Sequence, residues 1–201
     1  ESTVNATLRH SLFSLAFTVA AVSAAGCSDF IRQDRAPVTL VIDSLQAASG
    51  AEDTPTFSGT LQSDVITNGG IFNDSGQVTI RSIMKDVLAA PSPVNAVTIN
   101  RYRVTFRRSD GRNTPGVDVP QPFDSAVTFT VAPGESVSHS FELIRHLAKE
   151  EAPLRALATN VAVTIATVAD VTFFGRDQAG NELSATGSIG VIFGDFADPE
   201  D

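Results

Sequence analysis

The 201-residue chain has no Trp, one Tyr, one Cys, one Met and three His. A single Cys excludes an internal disulfide and every metal site built from several thiolates. Three His leave little for a zinc site or a nucleophile–base pair. The missing Trp and the lone Tyr argue against an aromatic sugar-binding platform. Positive charge is also scarce: 14 Lys and Arg stand against 23 Asp and Glu, a net charge of −9. That balance argues against nucleic acid and anionic headgroups as main partners. No Gly-x-Ser-x-Gly, His-Glu-x-x-His, phosphate-loop or EF-hand pattern occurs. What remains is an ordinary globular composition, 42% hydrophobic and 18% charged.

Residues 11–26 carry no charge and are apolar or small. The run is short for a bilayer span, which needs about 20 residues. Arg9 and His10 precede it and small residues close it, the layout of a secretory signal peptide. It ends in Ala24-Ala25-Gly26-Cys27, which resembles the bacterial lipobox, with Ala24 where Leu is commonest. The resemblance covers only this N-terminal segment. It implies a diacylated Cys27 at the start of the mature chain. Two other readings fit: ordinary cleavage after Ala24 or Ala25 with Cys27 a free thiol, and a retained apolar helix. A lone thiol in an oxidising compartment is a liability, which favours acylation. Two acyl chains give stable anchoring where one does not. Ser28, with Asp29 only after it, follows Cys27. Under the enterobacterial sorting rule this points to the outer rather than the inner membrane of a two-membrane envelope. The chain divides into a signal peptide (1–26), a lipidated Cys and short tether (27–37) and a β domain (38–201).

From residue 38 the apolar residues alternate. Val38, Leu40 and Ile42 form one such set; Leu61, Ser63 and Val65 another; Val78 and Ile80 follow the turn signal Asn73-Asp74-Ser75-Gly76. Tyr102, Val104 and Phe106 alternate with Arg101, Arg103 and Arg107. Val127, Phe129 and Val131 end at Ala132-Pro133-Gly134-Glu135, a type II turn signal, and Val137, His139, Phe141 and Leu143 lead out of it. Val161, Val163 and Ile165 share a phase with Val171 and Phe173; Leu183, Ile189, Val191 and Phe193 share another. Period-two patterning with no helix-length apolar stripe predicts an all-β fold: an antiparallel, immunoglobulin-like β-sandwich of about seven or eight strands. Asp177-Gln178-Ala179-Gly180-Asn181 resembles the last hairpin turn of bacterial immunoglobulin-like and fibronectin-like modules, although the Cys…Trp…Cys pattern is absent. One short helical segment is expected over 149–158, with the preceding strand running on through Leu147. Phe106, Phe129, Phe141, Ile165, Phe173 and Val191 are expected to share one core.

Two Pro-rich connections, Asp86–Asn95 and Ser109–Asp124, are long. The second reads as a sheet-crossing connection in polyproline-like geometry or as a binding loop. Arg101, Arg103, Arg107, Arg108 and Arg112 concentrate positive charge. Arg101, Arg103, Arg107 and Arg112 form the candidate binding surface for an acidic partner; the simpler reading is an outer strand face paired with carboxylates. Asp177, Asn181, Asp195 and Asp198 could meet at one end and hold Ca²⁺, but turn Asp and Asn ordinarily serve backbone geometry. No catalytic residue, metal site, cofactor or small-molecule ligand is assigned. The expectation is a non-enzymatic, membrane-anchored envelope lipoprotein whose sandwich binds another envelope or surface protein. The alternatives are a subunit of a surface filament or adhesin and, behind it, a solute-binding protein or enzyme with a deep polar pocket.

Overall fold

The computed structural model describes residues 35–52 and 54–196. The apolar segment, Cys27, nearly all of the expected tether and Asp198 lie outside the described residues. From Ala36 onward the chain forms a compact unit.

Eight strands are described: β1 (Val38–Ala48), β2 (Thr60–Asp64), β3 (Asp74–Met84), β4 (Val97–Arg107), β5 (Phe123–Val131), β6 (Ser136–Ile144), β7 (Ile165–Asp177) and β8 (Glu182–Gly194). A five-residue helix, α1 (His146–Glu150), and 3-10 turns at Pro93–Asn95 and Leu154–Thr159 complete them. One sheet has the order β1-β3-β6 and the other β2-β8-β7-β4-β5. The fold is all-β and sandwich-like, and the five-stranded sheet curls into a half-barrel. One pairing departs from the expected antiparallel pattern: β2 runs parallel to β8, Thr60 beside Gly190 and Asp64 beside Gly194. β2 and β8 run toward the same end of the molecule, so the short strand adds a parallel edge.

The registers define two ends. Val38 pairs with Met84, and Val97 pairs with both Val131 and Asp177. The chain therefore enters the domain at the end that carries the β3–β4 loop, the β5–β6 turn and the β7–β8 turn. At the opposite end lie the β2–β3 and β4–β5 loops and the segment from Ile144 to Ile165. β7 is 13 residues long, so the two ends are about 40 Å apart.

All six expected core residues are buried in one cluster. Phe141 meets Phe173 edge to face at 5.2 Å between ring centroids, and Tyr102 meets Phe141 at 5.1 Å. These rings come from β4, β6 and β7, so they join the two sheets. The Tyr102 hydroxyl donates to the Glu142 carbonyl at 2.9 Å, a polar tie across the same interface. Burial pushes that hydroxyl's pKa up, keeping it a donor. The Pro-Gly turn is as expected: Gly134 has φ +85° and the Glu135 N–H donates to the Ala132 carbonyl.

Several expectations are corrected. β6 stops at Ile144 rather than running through Leu147. Leu143 and Ile144 are both fully buried, so the alternation has already ended, and a helical turn then directs Ala148 and Lys149 inward and leaves Leu147 exposed. Val161 and Val163 are exposed, and β7 begins only at Ile165. Asp74 to Gly76 belong to β3, not to a turn. Gly76 is required there because a Cβ would lie 2.4 Å from the Phe141 ring. The β4–β5 connection does not cross between sheets, since β4 and β5 are neighbours. It is built from turns closed on the Thr114 carbonyl, with Val119 buried in the core.

Candidate functional site

The arginine face is the first candidate. A register shift between Ile99 and Arg101 moves β4 by one position. It sets Tyr102, Val104 and Phe106 inward and turns Arg101, Arg103 and Arg107 to solvent. Each arginine meets a carboxylate from a neighbouring strand. Asp124 of β5 accepts from Arg101 and, at 2.8 Å, from Arg103. Asp170 of β7 accepts from Arg107 at 2.7 Å and also from the Ser188 hydroxyl of β8. The Arg101 guanidinium lies 4.0 Å from the Phe174 ring centre. In the β4–β5 loop, Asp110 accepts from both Arg108 and Arg112.

The carboxylates respond accordingly. The Arg108 hydrogen bond, followed by those of Arg112, brings Asp110 down to about 2. The Arg103 hydrogen bond, with help from Arg101, lowers Asp124. Burial pushes Asp170 up, but the hydrogen bonds from Arg107 and Ser188 outweigh it and leave it low. Asp124 and Asp110 each serve two arginines, so each trio retains one positive charge. The outer face is thus a set of paired clusters whose charge is only partly compensated. A depression of about 250 Å³ lies beside it, lined by Asn100, Arg101, Asp124, Ser125 and Ala126.

The second candidate escaped sequence reasoning. Asp74 and Lys149 are 1% and 3% exposed. The Lys149 ammonium donates to Asp74 Oδ2 at 2.9 Å. The Ser63 hydroxyl donates to the same oxygen at 2.6 Å, and the Gly50 N–H donates to Oδ1 at 3.1 Å. Burial pushes the Asp74 carboxyl up, against the lowering charge of Lys149. The cluster joins the β1–β2 connection, β2, β3 and α1. Asp74 looked like a turn residue, and Lys149 was read only as the start of the short helical segment. No local signal separates Lys149 from Glu150 and Glu151, because only the fold brings it to Asp74. Beside the pair, Asn73, Ser75, Ser140, Phe141 and Glu142 help to line an open hollow of about 280 Å³.

The remaining polar candidates have local roles. His139 is half-buried and stacks on Phe129 at 4.6 Å. His146 is exposed, and its N–H donates to Asn73 Oδ1 at 2.6 Å. Asp177 accepts from the N–H groups of Ala179 and Asn181 and from the Asn181 side chain, which shapes the β7–β8 turn. Asp177 and Asp195 lie at opposite ends of the last hairpin, so the imagined Ca²⁺ grouping does not assemble. Among the described residues no three His, Cys, Asp or Glu side chains gather as a metal site. Among them, too, no helix is long and apolar enough to cross a membrane. No protein-family profile matches the chain, and no curated protein matches it.

Proposed function

We propose that this protein is a lipid-anchored component of a bacterial cell envelope, and that its β domain is an immunoglobulin-like module that binds another envelope or surface protein. The observation that carries the reading is Ala24-Ala25-Gly26-Cys27 at the close of the uncharged segment. Cys27 lies nine residues before Ala36, where the compact unit begins. Nine residues reach about 30 Å when fully extended. An acylated Cys27 would hold the Val38 end near the bilayer and send the opposite end outward. At that outer end lies the β4–β5 loop, with Val117 exposed and the Asp110 cluster beside it.

The immunoglobulin-like reading is supported by the strand order. Labelled in sequence, the two sheets read A-B-E and A′-G-F-C-C′, an order close to that family's. Tyr102 on the C-equivalent strand packs against Phe173 on the F-equivalent strand, 5.9 Å between centroids. In antibody domains a Trp and a disulfide fill the corresponding places.

Intact mass and membrane fractionation test the anchor: the expected mature chain starts at an acylated Cys27, and Cys27→Ser is released from the membrane. An unmodified mass, or full membrane retention of Cys27→Ser, overturns it. For the module, partner capture from solubilised membranes is expected to fall with Val117→Asp and to survive reversal of Arg103 and Arg107 to Glu. The opposite pattern would move the binding surface to the arginine face.

A further inference from the structure

We propose that the β3–β4 loop is a second membrane contact, seating Val87 and Leu88 in the lipid surface of the bilayer that holds Cys27. The inference rests on the anchored reading above. Val87 and Leu88 are 89% and 92% exposed, above every other large hydrophobic residue among those described. They are consecutive, and Ala89, Ala90 and Pro91 follow them.

The loop is built to present them. The Leu88 N–H donates to Asp86 Oδ1 at 2.9 Å, and the Ala89 N–H donates to the Asp86 carbonyl at 3.2 Å. Both bonds close a turn at the tip, so little ordering is left for the moment of contact. Its second half is fixed by the Pro93–Asn95 turn and by the Gln178 N–H donating to the Val94 carbonyl. Val94, also exposed, adds a third aliphatic side chain at the same end.

Position supplies the partner. The Lys85 N–H donates to the Pro37 carbonyl at 2.9 Å, so the root of the loop is bonded to the residue at which the tether ends. Whatever course the tether takes, the loop starts where it stops, at Pro37. Attachment makes docking intramolecular, so a contact too weak to hold a free domain can hold a tethered one. The chemistry fits an apolar seat rather than an ionic one. A chain of net charge −9 gains nothing from anionic headgroups, whereas each aliphatic side chain moved out of water favours the lipid on the order of tenfold. The contact would set the orientation of the domain, with the acyl chains responsible for retention.

The test uses the acylated full chain, purified from membranes and reconstituted in phosphatidylethanolamine–phosphatidylglycerol vesicles. An environment-sensitive dye is placed at Leu88→Cys or, at the opposite end, at Val161→Cys. At position 88 we expect a blue shift, a several-fold rise in emission, quenching by lipids carrying an acyl-chain nitroxide, and protection from iodide. At position 161 none of these should appear, and Val87→Asp should abolish them at position 88. Equal iodide quenching at both positions, with Cys27 of the parent chain unreactive to dye, overturns the contact and leaves the anchor standing. A parent chain whose Cys27 takes up the dye and that does not float with vesicles overturns the anchor, and the contact with it.

Discussion

Lys149, in the five-residue helix α1, pairs with the Asp74 carboxylate of β3, and both side chains are out of reach of water. Removing one member of such a pair strands a buried charge and costs about 3–5 kcal/mol. Lys149→Met is therefore expected to destabilise strongly. Asp74→Asn combined with Lys149→Met should recover most of that loss, because the Asn carbonyl still accepts from the Gly50 N–H while its amide group donates to the Ser63 hydroxyl. Denaturant unfolding measures both. A loss near the surface-pair value of about 1 kcal/mol for Lys149→Met would show that the pair is not buried in solution.

Acid stability should have two opposed parts. Asp110, Asp124 and Asp170 have folded-state pKa values below 3.8, so their stabilisation is present above that value and fades as pH falls through the lowered ones. Asp74 is raised above 3.8, so the folded state binds the extra proton. Its contribution is fully present below 3.8 and falls as pH rises through the folded value. Carboxyl carbon NMR should place Asp74 above the ordinary range and Asp110 near 2. Asp74 titrating below Asp110 would reverse the assignment.

Phe129→Ala and Phe173→Ala should each cost about 3–5 kcal/mol, the range for emptying a packed aromatic site. Phe129 also carries the stacked His139 ring, so its loss should shift the His139 ring proton resonances while Phe173→Ala leaves them nearer their place. Thermal melting and NMR check the two statements separately. Parent-like melting of both variants would mean that the strand phases point the wrong way.

Tyr102→Phe removes only the hydroxyl that reaches from β4 to the Glu142 carbonyl of β6. The expected cost is about 1 kcal/mol, with ring packing unchanged. The same substitution in a Phe141→Leu background should cost a different amount, since Phe141 sits against the Tyr102 ring. Strict additivity would separate the hydroxyl from the aromatic cluster.

Reversing Arg103 and Arg107 to Glu sets two new carboxylates against Asp124 and Asp170. The melting temperature should fall, and fall less at high salt, because the faces are wet and screened. No change in melting would mean that these pairs contribute nothing to the fold.

The strand phases were readable because a half-buried strand must alternate, and Tyr102, Val104 and Phe106 do so against three arginines. The arginine pairing was readable as a need for carboxylates, although Asp124 and Asp170 could not be picked out before β5 and β7 were known to flank β4. Other features had no local signature. The parallel β2–β8 pair joins residues more than a hundred positions apart in the chain. Asn73-Asp74-Ser75-Gly76 has the composition of a turn, yet Asp74 is drawn inward by Lys149 and Gly76 makes room for Phe141. Leu147, expected on the continuing strand, is exposed and Lys149 is buried because a helix changes the period just there.

The Val38–Met84 register has a mechanical consequence. Val38 to Ala48 is paired with β3 along its length, with one shift between Ile42 and Ser44. A pull on the residues ahead of Ala36, resisted at the far end of the domain, acts along the axis of β1. The ladder hydrogen bonds lie across that axis and carry the load together, in shear. Peeling would load them one after another. Under tension the first strand is therefore held by the whole ladder, and the Ile42–Ser44 shift is the point at which it should first give way.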